Sequence, residues 1–238
     1  MDTMKTKSAF QEAFFTYWND LRYYLVRTAN RPVMLMDYAS NTFVRLLCPF
    51  LPFSTEQINK DMGSSSVLST SSYPVPEDSR THPEAEIEEL AIQNLIADFQ
   101  KIMKVLPSTP KNLHVYVAPV WENDLLSDAI ESRLRKEKTA ETLQRFFSKR
   151  PEIPKKDVAN VLAKITNVIN DMGEDLARLF VSHRGKVNEL GAYQESKSYL
   201  ESAIGVEITF HPFDEINKYD PKGKSGFALP FKPALYLE

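Results

Sequence analysis

The sequence predicts a mostly helical α+β fold: an antiparallel helical bundle followed by a small α/β C-terminal domain with a few short strands. Three observations carry this. Before residue 106 the apolar residues recur at helical spacing. Residues 84–121 then pass from a long amphipathic helix into an alternating strand. Beyond that joint, short alternating runs at 113–118, 206–210 and 234–237 stand among further helices. This divides the chain into a bundle at 1–106, with 63–80 as a loop or linker, and an α/β domain at 111–238.

Residues 8–27 read as a helix, because Phe10, Ala13/Phe14, Tyr17/Trp18, Leu21 and Leu25 recur every three to four positions. So many aromatics could stack on bases, yet at this spacing they more often form a core. Asn30-Arg31-Pro32 breaks the helix and Pro32 opens a second one, 32–47. The run Cys48-Pro49-Phe50-Leu51-Pro52 stops that, and Ser54 is placed to cap a short helix over 55–62. Ser-rich residues 63–80 read as a surface loop or a partly disordered linker.

Thr81 and Glu84 have capping-box spacing, with Pro83 in the first turn of the long helix. Ile87, Leu90, Leu95, Phe99 and Ile102 line its apolar face, and Pro107 and Pro110 stop it. Leu113, Val115 and Val117 alternate with His114 and Tyr116, the period of a strand with one buried face. Residues 121–148 read as one helix, interrupted by Pro151 and Pro154; 155–172, 174–183 and 191–204 follow, the last stopped by Gly205. Val206, Ile208 and Phe210 alternate as a strand, and Ala234–Leu237 forms the final one after a turn at Asp220-Pro221-Lys222-Gly223.

Composition narrows the function classes. At 238 residues the chain can bury a core, and an apolar fraction of 42% suits a globular protein. No apolar run reaches the roughly 18–20 residues a membrane helix needs, so a membrane is not an expected partner. The opening MDTMKTKSAF lacks the apolar run of a secretory signal, and the one cysteine, Cys48, has no partner for an intramolecular disulfide. Both point to a reducing cytoplasm, with Cys48 as a small buried group. The net charge is −3, yet residues 133–156 hold nine Lys/Arg against three Glu. Such a stretch can meet phosphates while the whole chain is acidic, although a solvated helix face is the blander explanation.

Motifs for catalysis are missing from the sequence. His82, His114, His183 and His211 stand isolated, and with one cysteine they make no usual structural zinc site. Lys222-Gly223-Lys224-Ser225-Gly226 looks like a nucleotide loop, but position 218, where that loop needs Gly, is Lys; it reads as a basic turn. No Gly-x-Ser-x-Gly elbow occurs, and nothing sets a base beside a nucleophile. No cofactor is expected.

Three stretches carry a family resemblance. They are QEAFFTYWNDLRYYL with NRPV and FVRLLCPFLPFSTEQI; the long acidic helix leading to VYVAPVW; and GVEI followed by DPKGKSGFALPFKPALYLE at the end. Together they resemble the end of the anticodon-binding bundle and the C-terminal domain of archaeal and eukaryotic-type leucyl-tRNA synthetases. Two departures stand out: Phe53 occupies a position where the family usually has His, and Ile58 is followed by Asn rather than Trp. The HIGH and KMSKS signatures that such enzymes need are not in this sequence, so it is not expected to catalyse aminoacylation alone.

The resemblance implies a partner, leucine tRNA with its long variable arm, and no DNA. Arg133, Arg135, Lys136, Lys138, Lys149, Arg150, Lys155, Lys156, Lys222, Lys224 and Lys232 would then meet phosphates. Leu237 and Glu238 correspond to the terminal residues that touch exposed arm bases in that family. For a chain end with no such resemblance, fraying is the ordinary expectation. The alternative function is a protein-interaction module, or non-catalytic paralogue, that docks a separate catalytic synthetase chain or another partner. Its aromatic first helix would then be the docking face.

Overall fold

A computed structural model describes residues 5–28, 30–106 and 110–238, which form two compact units, 1–81 and 82–238. The turn expected across 107–110 lies outside the described residues except for Pro110. Among the described residues no helix is long and apolar enough to cross a membrane.

In the first unit, helix α1 (Thr6–Phe10) continues through a π-helical stretch, Gln11–Thr16, into α2 (Tyr17–Arg27). α3 (Val33–Leu47) and α4 (Pro52–Asp61) follow. The aromatic rings of the first helix pack without full burial: Phe43 of α3 stacks on Tyr17 and Trp18 and Phe10 meets Phe50 edge-on, while Trp18 stays 44% exposed and Ala13 alone among the described residues of this helix is buried. The Tyr17 hydroxyl donates to the Ala39 carbonyl at 2.8 Å. Cys48 is buried with Val44 and Leu68. Leu51, rather than Ser54, is the cap of α4, with Pro52 in the first position, where a missing N–H costs nothing. Much of 63–80 is folded down: Glu56 accepts from the N–H groups of Leu68 (2.9 Å) and Ser69 (2.8 Å), and Leu68 is buried.

The second unit is organised by α5 (Pro83–Met103). Its cap is His82, not Thr81; the Thr81 hydroxyl instead reaches back to the Glu77 carbonyl at 3.4 Å. Ile87 of α5 joins a core built from α6 (Val120–Leu134), α7 (Thr139–Lys149), α8 (Lys155–Asp171) and α9 (Glu174–Ser182). Ala91, Ile92, Leu95 and Phe99 join a second core with α10 (Glu189–Glu195), α11 (Lys197–Ile204) and the sheet. One helix thus serves two cores through successive turns of a single apolar stripe.

The expected helix over 121–148 is two helices. Lys136 has φ 58°, its N–H bonds to the Arg133 carbonyl (3.0 Å), and the Glu137 N–H bonds to the Ser132 carbonyl (2.8 Å). That is a Schellman stop with lysine in the left-handed position usually held by glycine. Residues 191–204 likewise belong to two helices, parted at Ser196, and Gly205 ends the second at φ 79°.

The sheet has the order β2-β1-β3, from β1 (Asn112–Tyr116), β2 (Glu207–His211) and β3 (Ala234–Leu237). β2 runs parallel to β1 and β3 antiparallel. Alternation places Leu113, Val115, Ile208, Leu235 and Leu237 toward the second core, and His114, Tyr116, His211 and Tyr236 on the opposite face.

Candidate nucleic-acid interface

The basic stretch 133–156 is arranged around the α6–α7 hairpin. Arg133 donates to the last carbonyls of α8, Ile169 and Met172, and so satisfies groups the helix leaves unpaired. Arg135 lies 3.6 Å from Glu131 and 3.7 Å from Glu137. Arg145 pairs with Glu137, and this hydrogen bond holds the Glu137 carboxyl below the usual range. Lys149 reaches Asp128 at 3.2 Å and Arg150 reaches Asp124 at 3.0 Å, while Arg184 bonds to both carboxylates. Asp128 is fully buried, so these cations stabilise a charge that would otherwise be unmatched.

Lys136, Lys138, Lys155 and Lys156 are exposed along the same stretch. The Lys155 ammonium lies 5.9 Å from the centre of the Phe147 ring. Of the cations read from the sequence along this stretch, these four present their charge outward, whereas Arg133, Arg135, Lys149 and Arg150 also hold the helices together.

The terminal segment supplies the other candidates. Asp220 accepts from the N–H groups of Lys224 (2.6 Å) and Ser225 (2.9 Å), so the backbone donors of this basic turn are already used inside it. Lys222 lies 5.7 Å from the Tyr236 ring and Lys224 6.0 Å from that of Phe227. Lys232 is exposed beside Phe231, whose N–H donates to the buried Glu189 at 3.0 Å.

Leu237 and Glu238 are not frayed. The Glu238 N–H donates to Asn112, and its carbonyl accepts from Lys111 (2.7 Å) and Asn112 (3.0 Å). Leu237 pairs with Leu113 and packs, partly buried, against the second core. Glu238 presents an exposed carboxylate, bonded at 2.9 Å to the Tyr219 hydroxyl. The two residues therefore differ in surroundings: one helps close the core and the other is tied to the sheet with its carboxylate at the surface.

Sequence reasoning missed the group beside Glu238. The rings of His114 and His211, isolated in sequence, stack with centres 5.3 Å apart, and Tyr219 lies 5.0 Å from His114. Burial lowers the pKa of His114, as does the neighbouring His211, and Glu238 opposes both. Burial, with Asp220 adding to it, pushes Tyr116 up to about 12. The usable signal was the period of two: His114 and Tyr116 alternate in β1 as Tyr236 and Glu238 do at the end. Among the described residues no group of three or more His, Cys, Asp or Glu could hold a metal ion.

Residues 1–117 match the protein family described as the anticodon-binding domain of tRNA ligase. Over its whole length the chain is similar to leucine–tRNA ligases of archaea: 30% identical over 240 residues to that of Methanosarcina acetivorans and 31% over 245 residues to that of Pyrococcus abyssi. A third, from Methanothermobacter thermautotrophicus, is 27% identical over 242 residues. All of this chain is covered in each case, and 23–24% of the relative, so the chain spans about a quarter of their length. The matched segment takes in the first unit and runs on through α5 and β1.

Proposed function

We propose that the chain is the tRNA-binding C-terminal region of a leucyl-tRNA synthetase. It would position leucine tRNA through its variable arm and backbone, for aminoacylation by a catalytic domain whose signature motifs are not in this sequence. In this reading residues 1–106 are the helical bundle and 111–238 the tRNA-binding domain. The observation that carries it is Glu238: a terminal residue fixed to the sheet by its backbone while its carboxylate stays exposed. Unpaired bases are what such a group can read, since sequence-specific RNA contacts favour single-stranded nucleotides. The exposed lysines at 136, 138, 155, 156, 222, 224 and 232 fit phosphate contacts, which position without specifying. A role in translation agrees with the cytoplasmic location expected from the sequence.

The test is a titration, at two salt concentrations, of leucine tRNA, the same tRNA with a shortened variable arm, and a short-armed tRNA. Salt-sensitive binding that depends on the arm is expected. Removing Leu237 and Glu238 should weaken it, but deletion also strips three backbone hydrogen bonds from the sheet, each worth about 1 kcal/mol. Glu238→Ala, which keeps the backbone, separates readout from folding. Equal affinity for all three tRNAs would reject the variable-arm assignment.

One observation favours a second reading, a module that docks a separate catalytic chain. In the first unit Met34 is 86% and Phe53 90% exposed. Co-purification of a synthetase chain lost on replacing these residues would favour that reading.

A further inference from the structure

Phe227 is a large apolar side chain without apolar company. It is 66% exposed and belongs to none of the buried clusters among the described residues. A single exposed ring is ordinary where the chain is loose, yet the backbone under this one is fixed. Gly223 turns the chain at φ 63°, and the two Asp220 oxygens accept from the N–H groups of Lys224 and Ser225. The Ala228 N–H donates to the Ser225 carbonyl at 3.2 Å, and Ala228 itself is buried with Tyr116 and Ala234. The short turn Lys224–Phe227 is thus pinned at both ends, and it holds the ring in water.

Two cations from separate elements gather around that ring. Lys164 Nζ, on α8, lies 5.6 Å from the ring centre, and Lys224 Nζ lies 6.0 Å from it. Lys164 also donates to the Gly226 carbonyl at 3.3 Å, which ties α8 to the turn across 62 residues of chain. Both lysines are exposed. Exposed cation–π contacts are weak beside charge-assisted hydrogen bonds, so they collect the ammoniums at the ring without holding them back from a phosphate. The Asp220 carboxylate is occupied by the backbone of the turn, with one N–H on each oxygen.

We propose that Phe227, Lys164 and Lys224 form a platform that grips single-stranded RNA without regard to sequence, the ring stacking on one base while the ammoniums meet the adjoining phosphates. The inference rests on the tRNA reading above and adds Lys164 and Phe227 to its contacts. A phenyl ring has no hydrogen-bonding edge, and every base has a π-face, so this contact holds a strand and selects no base. An acidic peptide would satisfy the two lysines and leave the ring in water. A nucleotide uses both, and that decides between them.

Short oligouridylate and oligoadenylate of equal length, titrated with the full chain at two salt concentrations, test this. Both should bind, within about threefold of each other, and more weakly as salt rises. Phe227→Leu keeps an apolar side chain outside the core but removes the π-face, and it should weaken both about tenfold. Lys164→Gln should make the log–log salt dependence shallower by about 0.7, and Lys164→Arg should restore it. Glu238→Ala should leave both oligomers as they were, which separates the platform from the terminal carboxylate. Unchanged affinity on Phe227→Leu overturns the inference, and so do oligomers that fail to bind where leucine tRNA binds; arm-dependent binding then leaves the tRNA reading standing. Polyglutamate that binds, and that Phe227→Leu weakens as much, assigns the platform to an acidic protein instead and equally overturns it. If neither the oligomers nor leucine tRNA binds, both readings fall.

Discussion

At the helical end of residues 82–238 the cations face carboxylates of the same fold, whereas on one face of the sheet histidine and tyrosine side chains hydrogen-bond to one another and to carboxylates. Around α6 and α7, Asp124, Asp128, Glu131 and Glu137 engage Arg135, Arg145, Lys149, Arg150 and Arg184. On the face of the sheet that carries His114 and His211 the hydrogen bonds run between His114, His211, Glu215, Tyr219 and Glu238, with His211 buried and Tyr219 and Glu238 exposed. A surplus of basic residues in a sequence therefore measures two things at once. Some of the charge is structural, and only the remainder is available to a polyanion.

The largest expected effect breaks the helical end. Asp128 is fully buried and takes Lys149 and Arg184, so Asp128→Ala leaves a half-buried guanidinium short of a partner. Removing one member of a buried pair costs about 3–5 kcal/mol, and a loss near the lower figure is expected because Arg184 keeps Asp124. Urea unfolding reads this directly. A loss below about 1 kcal/mol would show that these ion pairs are surface decoration, which double-mutant measurements value at that level.

A carboxylate of α6 without a hydrogen-bonded cation sharpens the contrast. Burial raises Glu122 to about 7, with Lys164 only partly offsetting it, and Glu122 Oε2 has no hydrogen-bond partner. The folded-state pKa lies above the unfolded value, so the fold prefers the protonated form. Stability from this group is complete below about pH 4.5, falls as pH rises toward 7, and stays low above that. Glu189, raised to about 7 by burial, acts in the same sense. Glu122→Gln should raise the Tm at pH 8, leave it nearly unchanged at pH 4, and so reduce the slope between. A pH profile parallel to that of the unaltered chain would mean Glu122 stays ionised in the fold.

Much of the fold was legible from local patterns. Apolar residues every three to four positions marked the helices and period-two runs marked all three strands, whereas the aromatic first helix, read as core, keeps Phe15 and Trp18 exposed. Boundaries failed where the deciding residue was atypical. Lysine at a left-handed stop hides the break between α6 and α7, and His82 replaces the expected cap of α5. The basic residues were countable, but their partners were not: Asp124 and Asp128 lie 26 and 21 residues from Arg150 and Lys149, beyond any local spacing rule. His114 and His211 are 97 residues apart and meet only because β1 and β2 pair in parallel.

The smallest expected effect bears on Lys136, whose charge is exposed and whose backbone is strained. A side chain in the left-handed region costs about 1–2 kcal/mol, and glycine removes that at an unfolded-state entropy cost of about 0.5–1 kcal/mol. Lys136→Gly should therefore stabilise the chain by about 0.5 kcal/mol, seen as a slightly higher Tm. It also removes a candidate phosphate contact, so the salt dependence of tRNA binding should become shallower by about one unit of log–log slope. The two readouts move in opposite directions, stability up and affinity down, only if the lysine is kept at this stop for its charge. If Tm rises while affinity and slope stay fixed, the Lys136 charge meets no phosphate, and phosphate contacts there fall to Lys138, Lys155 and Lys156.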